Sequence, residues 1–415
     1  QDLMVGGKDL YAVWDEAQGL WSTDEYDVQR LVDEDLYRYS EELKKTASAH
    51  VLVKYMGDFS SSSWLNFQRY IHSLSDSSHQ LDESLTFANS VVKKEDYVSK
   101  RLPYALEDSS FGAYDELIGA LYDEEEREKL EWSIGSIISG DSKDIQKFVV
   151  LYGSAGTGKS TVLNIIQDLF QGYFTVFEAK ALTGSNNSFA TEAFRANPLV
   201  AIQHDGDLSK IEDNTKLNSI VSHEQMIMNE KYKASYSSRI NAFLFMGTNK
   251  AVKITDAKSG LIRRLIDIHP SGRRVPPQRY QVLMSQIQFE LGGVAKHCLD
   301  TYRSMGRDYY ASYQPVEMML QTDVFYNFIE SYFDYFDSND GVTLVQAYAM
   351  YRQFCEETLI EYKLPQYRFR EELKNYFLYF EERARIGETR VRSWYSGFKS
   401  ERFDISKPEE KVNSL

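Results

Sequence analysis

Apolar positions fall into distinct textures along the chain. In the first hundred residues they are scattered among acids and aromatics, as in Tyr26–Lys45, and this stretch predicts mostly helix. Ser60–Ser63 marks a loop before Trp64–Leu74. From Tyr114 to Ile138 the spacing of Leu117, Leu121, Leu130, Ile134 and Ile138 is helical. The acidic run Asp123–Glu126 suits a helix start, because carboxylates favour the positive end of the helix dipole. At Phe148 the pattern changes to short unbroken apolar runs: Phe148–Tyr152, Phe174–Phe177, Leu199–Ile202, Ile240–Met246 and Leu265–Ile268. Such runs, alternating with helical stretches such as Ser160–Phe170, predict buried strands of a parallel sheet in an α/β fold. Arg273–Pro277 reads as an exit from this unit, and a helix is expected over Tyr280–Tyr302. A last unit starts near Asp323, with helices at Leu344–Leu359 and Arg368–Leu378 and two short strands around Gly387. Lys407–Leu415 is polar and expected to fray.

Length and charge then sharpen this picture. The 415 residues correspond to about three domains. The net charge of −15 argues superficially against nucleic acid as a partner, but its distribution does not. Residues 1–150 carry 15 basic and 30 acidic side chains, residues 151–300 carry 17 and 13, and residues 301–415 carry 15 and 19. The imbalance therefore lies in the first third. No apolar run approaches the roughly 18 residues of a membrane span, so no membrane partner is expected. Cys298 and Cys355 are too few for a disulfide scaffold or a cysteine-rich zinc site, which suits a reducing, intracellular setting. The first residue is Gln1 and no apolar signal stretch follows, so the chain is expected to be a piece of a longer protein.

The most specific chemistry lies after the first apolar run. Gly153, Ser154, Ala155, Gly156, Thr157, Gly158, Lys159 and Ser160 fit G-x-x-x-x-G-K-[ST] in full. Glycines let backbone N–H groups turn inward around phosphate oxygens, and Lys159 reaches the β- and γ-phosphates. Ser160 is placed to ligate Mg²⁺, with Thr161 beside it in the helix that follows, so ATP and Mg²⁺ are the expected ligands. A nucleotide hydrolase also needs an acid at the end of a neighbouring strand. Asp205 and Asp207 are the candidates, Asp205 also for the metal; an ordinary Asp-Gly turn is the other reading. Asn249, at the tip of Ile240–Asn249, could orient an attacking water, or simply end a strand. Arg263 and Arg264 are either a solvated pair or hold an arginine finger for a neighbouring subunit's nucleotide.

Two basic features stand apart. Lys231 and Lys233 flank Tyr232, which combines phosphate attraction with a stacking face; on the residues alone a solvated loop explains them as well. In the last unit a two-residue turn at Gly387-Glu388 would pair Arg385 with Arg390 and Arg383 with Arg392. Strand alternation then puts all four guanidinium groups on one face, with Ala384 and Val391 on the other. Such a face either meets DNA phosphates or is balanced by Glu381, Glu382 and Glu388.

The order of phosphate loop, acidic strand end, basic hairpin, Asn-tipped strand and Arg pair resembles the superfamily 3 helicases, in particular the poxvirus-like helicases of phage and plasmid primases. The resemblance covers most of the chain. It includes Trp14–Lys45, Trp132–Gly140, Asp205–Ser209 through Asn218–Glu224, and Thr255–Gly260 running into Arg263-Arg264. Many relatives carry a glutamate at the acidic strand end where this chain offers two aspartates. The resemblance implies an α/β AAA+ P-loop ATPase core of superfamily 3 helicase type, with a helical N-terminal region and a C-terminal winged-helix-like domain. The expected divisions are a helical N-terminal region over 1–110, the core over 111–277, a helical connector over 278–322, the winged-helix-like domain over 323–403 and a tail over 404–415. It further implies a homo-oligomeric ring, a hexamer in most relatives, moving 3′-to-5′ on single-stranded or forked DNA. Lys231, Tyr232 and Lys233 would lie on its pore hairpin. An N-terminal primase or primase–polymerase domain would precede Gln1 in the full protein, working in the cytoplasm of a phage-infected bacterium. Non-unwinding alternatives are a replication initiator or loader, and a structural ring that tethers a primase–polymerase to its template.

Overall fold

The computed structural model describes residues 3–6, 10–46, 62–73, 80–184, 190–208, 213–228, 236–250, 252, 260–315, 318, 324–357, 364–387 and 389–400. Its centre is a five-stranded parallel sheet. The strands are β4 (Phe148–Tyr152), β5 (Phe174–Val176), β6 (Val200–Gln203), β9 (Phe243–Thr248) and β10 (Leu265–Ile268), in the spatial order β10-β4-β9-β6-β5. The unbroken apolar runs form strands because both faces are covered. Phe148 and Val150 of β4 point into one core, while Val149 and Leu151 point into the other. The second of these cores is closed by α3 (Gly112–Leu121), α4 (Glu124–Ser139), α5 (Lys159–Leu169) and the long α8 (Pro277–Met305). On the first face lie α6 (Ala179–Leu182) and α7 (Thr215–Val221), and the core there runs on into the C-terminal unit through Met318, Phe325 and Phe328. Asp123 precedes α4 and the acids Glu124–Glu126 occupy its first turn, as the dipole argument requires.

The N-terminal region departs from the helical expectation. β1 (Leu3–Gly6), β2 (Leu10–Asp15) and β3 (Leu20–Ser22) form an antiparallel sheet before the helices α1 (Glu25–Thr46) and α2 (Ser62–Ser73). Aromatic and β-branched residues favour the pleated surface, and Trp14 lies directly opposite Trp21 across the ladder. Trp21 in turn stacks on Tyr97.

A short antiparallel pair, β7 (Gln225–Met228) and β8 (Tyr236–Arg239), leaves the sheet between α7 and β9. The C-terminal unit comprises α9 (Val324–Ser331), α10 (Phe333–Ser338), β11 (Gly341–Thr343), α11 (Leu344–Glu357), α12 (Gln366–Lys374), β12 (Phe377–Ile386) and β13 (Thr389–Phe398), with sheet order β11-β13-β12. The expected helix over Arg368–Leu378 is corrected here. It ends at Lys374, the chain turns at Asn375, and Leu378 already belongs to a strand. The two strands around Gly387 are ten residues each rather than short. Among the described residues no helix is long and apolar enough to cross a membrane.

Candidate functional site

The phosphate loop connects the end of β4 to the start of α5. Gly153 donates its N–H to Thr248 O at the end of β9, 3.2 Å away, which ties the loop to the neighbouring strand. Gly158 has φ +98, a conformation that other residues rarely adopt, and a Cβ there would sit 2.9 Å from a methyl of Leu121. Lys159 turns back into the loop and donates to Gly153 O at 2.6 Å and Ser154 O at 2.8 Å. Burial holds the Lys159 ammonium below its usual range, and the nearby Asp205 carboxylate opposes that lowering. Ser160 is exposed at the first turn of α5, where unpaired backbone N–H groups favour anions. Thr161 is buried and its hydroxyl lies 3.2 Å from the Tyr280 hydroxyl.

The parallel register brings three strand ends together. Tyr152 pairs with Thr248, and Gln203 pairs with Met246, so the phosphate loop, Asn249 and Asp205 emerge at one end of the sheet. The turns there are tightly sewn. Gly206 donates to Gly247 O at 2.7 Å, and a Cβ on Gly247 would meet His204 O at 2.6 Å. Thr248 is buried and braces the turn through its hydroxyl, which accepts from Lys250 N. Asn249 is left exposed at the tip. The two acids part company. Asp207 is held by Lys250 at 2.7 Å, whereas Asp205 is exposed and close enough to Lys159 to influence its charge. Among the described residues no cage of three or more His, Cys, Asp or Glu is gathered. Mg²⁺ needs none, because it keeps waters and takes one or two protein oxygens beside phosphates. Ser160 and Asp205 are the exposed oxygen donors that could hold such an ion.

The arginine pair sits at the other end of the sheet. Leu265 pairs with Phe148, so Arg263 and Arg264 precede the first residue of β10 beside the start of β4. Five strand steps separate Phe148 from Gly153, about 16 Å. The pair is also asymmetric. Arg264 is 6% exposed and donates Nε and Nη2 to Ser222 Oγ and Nη1 to Gly260 O. Burial and the adjacent Arg263 lower its basicity. Arg263 is exposed, and among the described residues its guanidinium has no hydrogen-bonded partner.

Some cleft residues were not expected from the sequence. Beside the phosphate loop an open cleft of about 260 Å³ is lined by Leu121, Gly158, Lys159, Arg274, Val275 and Tyr280 among others. Arg273 also lines it, anchored to Asp123 at 2.7 Å. The sequence signal for these residues was a basic pair a few positions past β10, which read only as an exit. Val275 and Tyr280 give the cleft an apolar and aromatic wall.

The C-terminal hairpin has the expected register. Arg383 pairs with Arg392, Ala384 with Val391, Arg385 with Arg390 and Ile386 with Thr389. All four arginines are exposed, and Ala384 and Val391 are half-buried on the opposite face. Glu382 leans towards Arg370, 3.7 Å away, and among the described residues no carboxylate is within ion-pair distance of the four. Lys231, Tyr232 and Lys233, between β7 and β8, lie outside the described residues, as does Glu388.

A family model described as a family of unknown function, DUF5906, matches residues 151–264. The apo structure of the NrS-1 C-terminal region, residues 305–718, is similar with a TM-score of 0.51 at 12% identity, over 95% of this chain and 96% of that one. The A-form apo structure of the same region gives a TM-score of 0.50 at 11% identity, with the same coverage. The likeness is one of fold.

Proposed function

We propose that the chain is an ATP-hydrolysing, ring-forming DNA motor with an AAA+ core of the superfamily 3 helicase type. One observation carries this reading. Strand β9 is inserted between β4 and β6, so a polar strand tip, Asn249, stands between the phosphate loop and the acid Asp205. That arrangement suits hydrolysis rather than simple nucleotide binding. Lys159 and the loop N–H groups hold the β- and γ-phosphates, and Ser160 with Asp205 holds Mg²⁺, which offsets phosphate charge when bound. Asp205 and Asn249 orient the attacking water. Asp207, committed to Lys250, shapes the turn instead.

Charge on the transferred phosphoryl group needs an arginine. Arg263 faces outward a full strand length from its own phosphate loop, so it serves the nucleotide of a neighbouring copy. Arg264 is the buried brace behind it. Sites that are each completed by the next subunit suit a closed ring, hexameric by resemblance.

The helix–hairpin order of the C-terminal unit, with sheet β11-β13-β12, supports a winged helix whose arginine-faced hairpin contacts DNA phosphates. Lys231, Tyr232 and Lys233 are proposed to line the pore. Movement 3′-to-5′ and a primase or primase–polymerase partner belong to the same reading. Strand displacement on forks with a 3′ or a 5′ tail tests it, beside a Lys159→Ala control. Unwinding of 3′-tailed forks alone is expected. ATP hydrolysis without displacement on either fork would favour a loader or initiator instead.

A further inference from the structure

The arginine end of the sheet holds a buried ammonium with no role so far. Lys147, the residue before β4, is 5% exposed. Its Nζ donates to the carbonyl of Arg263 at 2.6 Å and, at longer range, to that of Tyr313 at 3.4 Å. Among the described residues no carboxylate pairs with it. Burying an unpaired ammonium costs several kcal/mol, whereas an apolar side chain would fill the same space without that penalty. What the ammonium holds is the backbone of the exposed arginine. On the next residue, Arg264 is fixed by Ser222 and Gly260. Arg263 is thus held at its own carbonyl and at the residue that follows, and it lines a cleft of about 210 Å³ with Trp132, Lys147, Arg307 and Tyr310.

We propose that Lys147 is a positioning residue: its ammonium locks the Arg263 carbonyl so that the guanidinium is presented at a fixed place to the phosphates bound by a neighbouring copy. This rests on the reading of Arg263 as an arginine that acts between subunits.

The electrostatics set two roles apart. Burial lowers Lys147 to about 8, and Arg263 pushes in the same direction. The charged and titratable residues around it are Arg263 before β10, Asp144 before β4, and Arg307, Asp308, Tyr310 and Tyr313 after α8, the last touching it through its carbonyl. Asp308 is engaged with Arg307 at 3.8 Å. The folded state sheds this proton near 8, and the free side chain sheds it near 10.5. In that window the unfolded chain binds more protons, so stability from this group rises with pH. The neutral amine is a weaker donor and grips the carbonyl less firmly. Positioning therefore predicts that turnover falls over the same window in which stability rises. A merely structural lysine gives only the second effect.

The test measures kcat and KM for ATP from about pH 6.5 to about 9.5 in the wild type, Lys147→Met and Arg263→Ala, with ATP affinity, thermal stability and assembly alongside. For Lys147→Met, kcat is expected to drop about 10- to 100-fold with KM within about threefold, because the phosphates are bound by the other subunit. Wild-type turnover should decline above about pH 8, and this limb should be missing in both variants. A wild-type kcat that stays flat across that range overturns the proposal, even if Lys147→Met is too unstable to assay. So does Lys147→Met with undiminished kcat. Full turnover in Arg263→Ala would overturn the reading of the arginine itself. A dead Arg263→Ala beside a fully active Lys147→Met would remove only the role of Lys147.

Discussion

The two ends of the central sheet are built in opposite ways. At the end where β4, β6 and β9 finish, backbone turns are tight but side chains are left facing outward: Ser160, Asp205 and Asn249 are all exposed. At the other end the side chains are consumed internally. Arg264 is spent on Ser222 and Gly260, Lys147 on two carbonyls, and His223 lies between Ile240 O and Ser142 O. Arg263 is left exposed beside them. The first end leaves polar groups open, as the proposed nucleotide site needs. The second is prepared to hold one cation still. Preorganised charge acts on a reaction because no reorganisation is needed at the moment it is used, and a rigid pedestal supplies that.

Substitutions at each end sharpen this contrast. The largest effect is expected for Arg263→Ala, with turnover down by about 10³-fold or more and folding stability changed by less than about 0.5 kcal/mol. Steady-state kinetics beside a thermal melt would check both. Lys159→Ala should lower hydrolysis by about 10²–10³-fold at the receiving end, again with little loss of stability. Retained hydrolysis there would remove the phosphate-loop assignment. Arg264→Ala should show the reverse profile: a loss of about 2–3 kcal/mol in chemical denaturation, because the Ser222 hydroxyl and the Gly260 carbonyl lose buried charged donors. An Arg264→Ala protein as stable as the wild type would mean that the pedestal is not rigid.

The smallest effect concerns His223. Burial lowers its pKa below 6.5, the value of the unfolded chain. The unfolded state therefore takes up the proton first as pH falls, and stability declines below about pH 6.5. His223→Gln should flatten that decline in a pH series of melts.

Much of the central sheet was legible because its strands are buried on both faces and therefore unbroken in hydrophobicity. Leu265–Ile268 is found at its expected bounds. The phosphate loop was legible because its chemistry is local. The N-terminal strands were not, since β3 has only three residues and its decisive contact is Trp14 against Trp21 across the ladder. Helix α12 was overextended because Leu373, Tyr376 and Phe377 are all buried and mimic helical spacing. The choice between Arg263 and Arg264 was hidden for a different reason. Identical side chains on adjacent residues are told apart by their partners, Gly260 and above all Ser222, 42 positions away from Arg264. Asp205 and Asp207 are distinguished likewise by Lys250. Arg274 and Tyr280 line the cleft only because the chain after β10 folds back over the phosphate loop.

On the proposed reading, the length of β4 keeps each copy's arginine out of reach of its own nucleotide, so a single copy would be an incomplete enzyme. Two dead variants then become complementary parts. A subunit with Arg263→Ala still has an intact phosphate loop, and one with Lys159→Ala still has an intact arginine. Mixed in one assembly, they rebuild a working site wherever the second lends its arginine to the first, and activity should return from two inactive preparations.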